Sequence, residues 1–226
     1  MAQGFMEWVS GIHEDKDHGF SIAPGIVTDN MNLLSEGKVQ VRIPSLPEIE
    51  PWARLASIGG GAGRGFLWVP QIGDEVLVAF NRNDNLDAYV LGGLWSLMNR
   101  PPVSLPTDFL TKRIIKTGIN DSPLAHTIEM DDALQSIKIT TSTSQEITLD
   151  SDHISIQTTG GLLKITMDIV AVPPSISIES AGDISLSAPL GTISLNALRV
   201  DIAGKVSTDI SSTGTVGVTG PMVTIN

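Results

Sequence analysis

Apolar residues recur in pairs split by one residue along the second half of the chain. The pairs are Ile128-x-Met130, Ile137-x-Ile139, Ile147-x-Leu149, Ile154-x-Ile156 and Leu163-x-Ile165, then Ile176-x-Ile178, Ile184-x-Leu186, Ile193-x-Leu195, Val200-x-Ile202, Val216-x-Val218 and Val223-x-Ile225. Successive pairs start about seven to ten residues apart, with a longer gap at Pro173-Pro174 and less regularity after Ile202. Period two puts both members of a pair on one face of a β-strand. Ser, Thr, Asp and Gly lie between the pairs. Strands this short cannot bury their own apolar face, so the repeats must stack. Three consecutive strands of one chain could close a parallel β-helix, or one strand from each of three chains could form an intertwined prism. The spacing of the pairs does not separate these two.

The chain has four Trp, one Tyr and five Phe, and none follows Phe109. Aliphatic side chains fill narrow regular layers that a Trp or Phe would force apart. A repeat region without aromatic faces also argues against a polysaccharide-degrading β-helix, the alternative function for such repeats. The net charge of −11 opposes contact with phosphate backbones or anionic membranes, so an OB-fold nucleic-acid binder is disfavoured. With no cysteine, disulfides and thiolate chemistry are excluded and the redox compartment stays open. Glu7 interrupts the first apolar stretch and no basic segment precedes it, so no secretory signal is expected. No apolar run is long enough to span a bilayer. Synthesis in the cytoplasm is the expectation.

The first half reads as short strands separated by turn signals. Lys38–Ile43 alternates strictly and is ended by Pro44 and Pro47. Trp52–Ala56, Glu75–Phe80 and Tyr89–Trp95 follow, with a turn at Gln71–Asp74 and a polar hairpin tip at Asn81–Asn85. Strand signals begin at Ile26. Such a series within one small domain predicts a β-barrel. Pro101-Pro102 and Pro106 mark its end.

These residues resemble a known family. Gly25-Ile26-Val27-Thr28-Asp29-Asn30, Gly37 to Pro44, Trp52 to Ala56, Phe66 to Phe80 and Tyr89 to Leu94 are similar in order and type to the OB-fold domain of phage baseplate assembly protein V and VgrG-type spikes. Lys112 to Thr117, followed by His126 to Asp132, resembles the family's passage from OB-fold to needle, with an insertion-like stretch at Gly118–Ala125. The resemblance covers residues 20–226. It implies an all-β homotrimer, an N-terminal OB-fold barrel followed by a C-terminal triple-stranded β-helix. The divisions are an N-terminal segment (1–24), the OB-fold domain (25–97), a linker and connector (98–127) and the β-helix (128–226). It also implies a structural spike that caps the tail tube of a phage tail or contractile injection system and pierces a target envelope mechanically. Ile128, Ile137, Ile139, Ile147, Leu149, Ile154, Ile156, Ile176, Ile178, Ile184, Leu186, Ile193 and Leu195 would form the needle core. The large hub region of VgrG proteins and the lysozyme insertion of some phage spikes have no counterpart, so a separate baseplate hub protein is implied. Val223, Thr224, Ile225 and Asn226 would seat a PAAR-type tip protein, and tail-tube proteins would be indirect partners. Before firing, the protein would sit in a virion or injection-system baseplate.

No catalytic site, metal or cofactor is expected. His13 and His18 flank Glu14, Asp15 and Asp17 at a spacing that fits no common metal pattern. His126 and His153 lie in the connector and needle, no nucleophile elbow accompanies any of them, and no His follows His153 to build an apical metal site. The run Gly59–Gly65 lacks the Gly-Lys-Ser/Thr ending of a phosphate loop and reads as a flexible loop between strands, with Arg64 available to a partner. Lys112, Arg113 and Lys116 read equally as a solvated face or as neutralisers of acidic neighbours such as Asp131 and Asp132.

Overall fold

The computed structural model describes residues 22–31, 36–82, 84–103, 105–119 and 122–224. His13, His18, Ile225 and Asn226 lie outside that set. The chain divides into two compact units, one ending at Ala181 and one beginning at Gly182.

Alternating apolar residues build the barrel. Strands β1 (Ile22–Asp29), β2 (Lys38–Arg42), β3 (Trp52–Leu55), β4 (Glu75–Asn81) and β5 (Asp84–Leu94) close in the order β1-β2-β3-β5-β4. All pairs are antiparallel except β3 with β5, where Arg54 stands against Tyr89 and Leu55 against Val90. The inward positions are Ala23, Val27, Val39, Val41, Ile43, Ala53, Val76, Val78, Phe80, Ala88 and Val90, all buried. Leu46, Leu55 and Val69 pack against them. The described barrel core is thus small and aliphatic, with Phe80 as its one aromatic side chain.

β1 starts at Ile22, before the expected Ile26, because Pro24 masks the strand pattern. Around Pro24, β1 is paired only with β4, a one-sided position where a proline is tolerated. The next residue, Gly25, lies close to two core side chains. A Cβ there would sit 2.9 Å from Ile43 Cδ1 and 3.1 Å from Val78 Cγ2. β5 likewise begins inside the expected hairpin tip, at Asp84, because Asp84, Asn85 and Asp87 imitate a turn while the strand runs on from them to buried Ala88 and Val90.

A short helix, α1 (Asp108–Thr111), precedes a second sheet of seven strands. These are β6 (Lys112–Lys116), β7 (Thr127–Asp131), β8 (Ser136–Thr140), β9 (Glu146–Leu149), β10 (His153–Gln157), β11 (Leu163–Asp168) and β12 (Ser175–Ser180). They pair in chain order and every pair is antiparallel. This is a meander within one chain and not the parallel coil of a single-chain β-helix. It takes in Lys112–Lys116, which the sequence divisions assign to the connector. In β11 the register aligns Ile165 and Met167 with the neighbouring pairs, and Leu163 extends the same face opposite Ser180.

From Ile184 to Thr224 the described residues form no helix or strand pairing. Their backbone-to-backbone hydrogen bonding is one turn, Gly191 N–H to Ala188 O at 3.1 Å.

Candidate functional site

The antiparallel register gathers most of the sheet's aliphatic residues, Ile114 excepted, into two columns on one face. One column runs Ile115, Ile128, Ile139, Ile147, Ile156, Ile165, Ile178. The other runs Arg113, Met130, Ile137, Leu149, Ile154, Met167, Ile176. At about 4.8 Å between strands, each column is about 29 Å long. The needle-core residues expected between Ile128 and Ile178 all lie in these columns. Within the single chain they remain open to solvent: Ile139 is 37% exposed, Ile156 49% and Ile176 68%. Covering each half-exposed side chain would contribute about 1 kcal/mol. Ile184, Leu186, Ile193 and Leu195 belong to the unit beginning at Gly182 and are each more than half exposed. An apolar stripe this long and continuous marks a surface made for contact.

The opposite face of the sheet is polar and internally paired. Lys112 Nζ lies 3.1 Å from Glu129, 3.8 Å from Asp131 and 3.9 Å from Asp108. The hydrogen bond to Glu129 holds its ammonium above the usual lysine range. Asp131, only 5% exposed, also accepts the backbone N–H groups of Ala133 and Leu134 through Oδ1. Lys112 is therefore a neutraliser of acidic neighbours, as one of the two sequence readings had it. Arg113 instead donates to the carbonyls of Leu110 and Lys112. Lys138 Nζ meets Glu146 at 2.7 Å and is the main cause of that carboxyl's depressed pKa. His153 sits between Asp150 (3.6 Å) and Asp168 (3.7 Å). Asp150 is held below the usual carboxylate range by the backbone N–H groups of Asp152 and His153. No group of three metal-ligating side chains occurs among the described residues. Such pairing anchors a face.

On the barrel, a shallow concavity is lined by Lys38, Trp52, Arg54, Asp84, Leu86 and Asp87. The Arg54 guanidinium lies 4.4 Å from the centre of the Tyr89 ring and 3.1 Å from Asp87, and it also donates to the Tyr89 hydroxyl. Asn81 donates to Asp87 at 2.7 Å and is the leading cause of that carboxyl's lowered pKa. Arg54 is thereby committed within its own chain.

The Gly59–Gly65 run forms a tight hairpin. Gly61 N–H and Arg64 N–H bond each other's carbonyls at 3.0 and 3.2 Å. Gly65, at φ +134°, brings its backbone against Gly60, where a Cβ would lie 3.0 Å from Gly60 Cα. Sequence reading made this a flexible loop; reciprocal bonding and a close backbone crossing give it a defined shape. Beyond it, Phe66 and Trp68 stack with centroids 5.9 Å apart and planes at 3°, and Leu67 and Ile58 are exposed. That aromatic platform went unremarked in the sequence, although Phe66-x-Trp68 repeats the period-two signal.

Val223, the described apolar member of the expected tip site, is 51% exposed, and Thr224 is exposed too.

Residues 23–95 match the family model of the type VI secretion system/phage-baseplate injector OB domain. Over 66 residues, 29% of this chain, the sequence is 39% identical to the type VI secretion system spike protein VgrG5 of Pseudomonas aeruginosa and 33% identical to the actin cross-linking toxin VgrG1 of Vibrio cholerae serotype O1. Over 109 residues, 46% of this chain, it is 27% identical to the type VI secretion system spike protein VgrG3 of Vibrio cholerae serotype O1. The matched segments cover 8%, 6% and 11% of those relatives, so the likeness is to a small part of much longer proteins. The matched barrel, with its β1-β2-β3-β5-β4 closure, is similar to the injector OB domain and to the corresponding segment of VgrG-type spike proteins.

Proposed function

We propose that this chain is the central spike subunit of a contractile injection system or phage-like tail, active as a homotrimer and catalysing no reaction. The observation that carries this reading is the pair of aliphatic columns, a stripe two side chains wide with a paired polar face behind it. Three copies related by a three-fold axis would turn their stripes inward and cover one another, leaving the ion-paired faces in solvent. The injector OB domain would seat against a separate hub protein at the end of the tail tube. The repeats would form a rigid needle that carries the force of sheath contraction to the target envelope. Val223, Thr224, Ile225 and Asn226 would receive a PAAR-type tip protein. The exposed aliphatic face at Val223 supports that assignment. The acidic balance of the chain supports an OB domain that serves assembly and not nucleic acid.

A genetic test is direct. Removing this chain from the machine that carries it should abolish delivery or killing, and the unaltered chain supplied in trans should restore it. Undiminished delivery without the chain would overturn the proposal.

A further inference from the structure

We propose that the barrel concavity formed by β2, β3 and the start of β5 binds a neutral oligosaccharide of N-acetylated hexose units, with one sugar ring seated on Trp52. The register builds this face. Lys38 stands against Arg54 and Gln40 against Trp52 across β2 and β3, and Arg54 stands against Tyr89 across β3 and β5. Residues two apart share a face, so Trp52 and Arg54 both project outward on either side of buried Ala53. Asp84, Leu86 and Asp87 complete the lining from β5. The face of the second and third strands, with the loop before the fifth, is where OB-folds of other functions hold oligonucleotides or oligosaccharides. The fold does not choose between those ligands; the side chains do.

Charge selects first. The lining sets Lys38 and Arg54 against Asp84 and Asp87, and both cations have a carboxylate partner: Arg54 meets Asp87 at 3.1 Å and Lys38 meets Glu36. No excess of positive charge is left to hold a phosphate backbone, and no excess of negative charge to hold a polycation. A neutral ligand rich in hydroxyls suits such a balance. Shape and polarity select next. Trp52 is 37% exposed. Arg54 caps the Tyr89 ring, whereas among the described residues no ring or cation stacks on Trp52. A pyranose ring lays its C–H face on an indole while its rim of hydroxyls needs donors and acceptors, the combination of apolar body and polar edge that an exposed Trp serves. Lys38 Nζ would donate to a hydroxyl and Asp84 Oδ2 would accept from one. Asp84 Oδ1 already accepts the Leu86 N–H at 2.9 Å, which fixes the loop. Leu86, 71% exposed, is the second apolar member of the lining and would cover the methyl of an acetamido group. An apolar floor with a few converging polar groups is the usual make-up of a small-ligand site, and a shallow one admits a sugar chain from the side.

The test titrates the full-length protein, in whatever assembly it forms, with tri-N-acetylchitotriose, using calorimetry and saturation-transfer NMR observed on the sugar. Saturable binding is expected, with transfer strongest at the ring C–H and acetyl methyl protons. Trp52→Ala should weaken binding about tenfold. Trp52→Phe should recover most of the loss, because it keeps an aromatic face. Both variants should retain the melting midpoint and solution mass of the unaltered protein, since the ring lies outside the core. A heparin fragment and single-stranded DNA, the anionic probes, should bind more weakly than the sugar. No binding by the unaltered protein at millimolar sugar, equal affinity in Trp52→Ala, or tighter binding of either anionic probe would overturn the proposal. So would loss of hub-protein capture by Trp52→Ala, which would assign this face to a protein contact.

Discussion

Ile139 and Ile147 face each other across β8 and β9, on the face of the sheet that the chain leaves open. On the other face, one residue from each, Lys138 and Glu146 form an ion pair at 2.7 Å. The same two strands thus carry an apolar side left open in the chain and a polar side already paired. The difference follows from the parity of the residue number alone.

A charge placed on the two sides should therefore have opposite consequences. Ile139→Asp puts a carboxylate among the apolar columns of the assembly, where three copies would stand together, each costing several kcal/mol if unpaired. Thr148→Asp adds the same group to the polar face near Lys138. Ile139→Asp, like Ile193→Asp, should lose the assembly's resistance to heat and detergent. Thr148→Asp should retain it. Melting followed by gel migration without boiling reads both.

The barrel and its glycine hairpin give a second contrast. Gly25→Ala presses a Cβ onto the tips of Ile43 and Val78, which can shift, so a loss of about 1 kcal/mol is expected. Gly65→Ala meets backbone at Gly60 and a φ of +134°, which nothing flexible relieves, so the loss should be about 1–3 kcal/mol and confined to the loop. Thermal melts should show a lowered midpoint for Gly25→Ala. Proteolysis should cut the Gly65→Ala loop faster while the barrel remains folded.

The ion pair on the polar face predicts a pH dependence with a definite sign. Glu146 is depressed by Lys138. Its contribution is therefore present above the ordinary glutamate value of about 4.3 and is lost as pH falls through the lower folded value. Lys138→Met should raise the Glu146 pKa towards the ordinary range in an NMR titration. The stability lost at neutral pH should be under about 1 kcal/mol, as for partly exposed pairs, and should vanish once Glu146 is protonated in the folded state. An unmoved Glu146 titration would show that another group sets it.

Much of this was legible in the sequence because period two is a strong signal where one face is aliphatic and the other polar. β2 and β4 were read within a residue or so of their observed bounds, and the β7 to β10 pairs lie on one face as their spacing requires. Pro24 concealed the start of β1, since its tolerance depends on which side of the strand is paired, a tertiary fact. Asp84, Asn85 and Asp87 concealed the start of β5 by imitating a turn. The meander was not legible either: the pairs fix which way each side chain points, but direction of pairing is set by the loops between them. The Lys112 contacts needed the register of β6 on β7, which brings Asp131 opposite it.

The expected tip site gives a further test. Val223→Asp should weaken binding of a PAAR-type tip protein by at least tenfold without dissociating the trimer, because the upstream columns are untouched. A pull-down with the tip protein, alongside the solution mass, separates the two effects. Unchanged binding would place the tip contact elsewhere.

The most direct measurement is the mass of the purified chain in solution by light scattering. One chain is 24.0 kDa, so the account predicts about 72 kDa, three times that figure, unchanged by dilution or moderate salt because aliphatic burial holds the copies together. A monodisperse species of 24.0 kDa would contradict it, since the two open columns would then have no occupant.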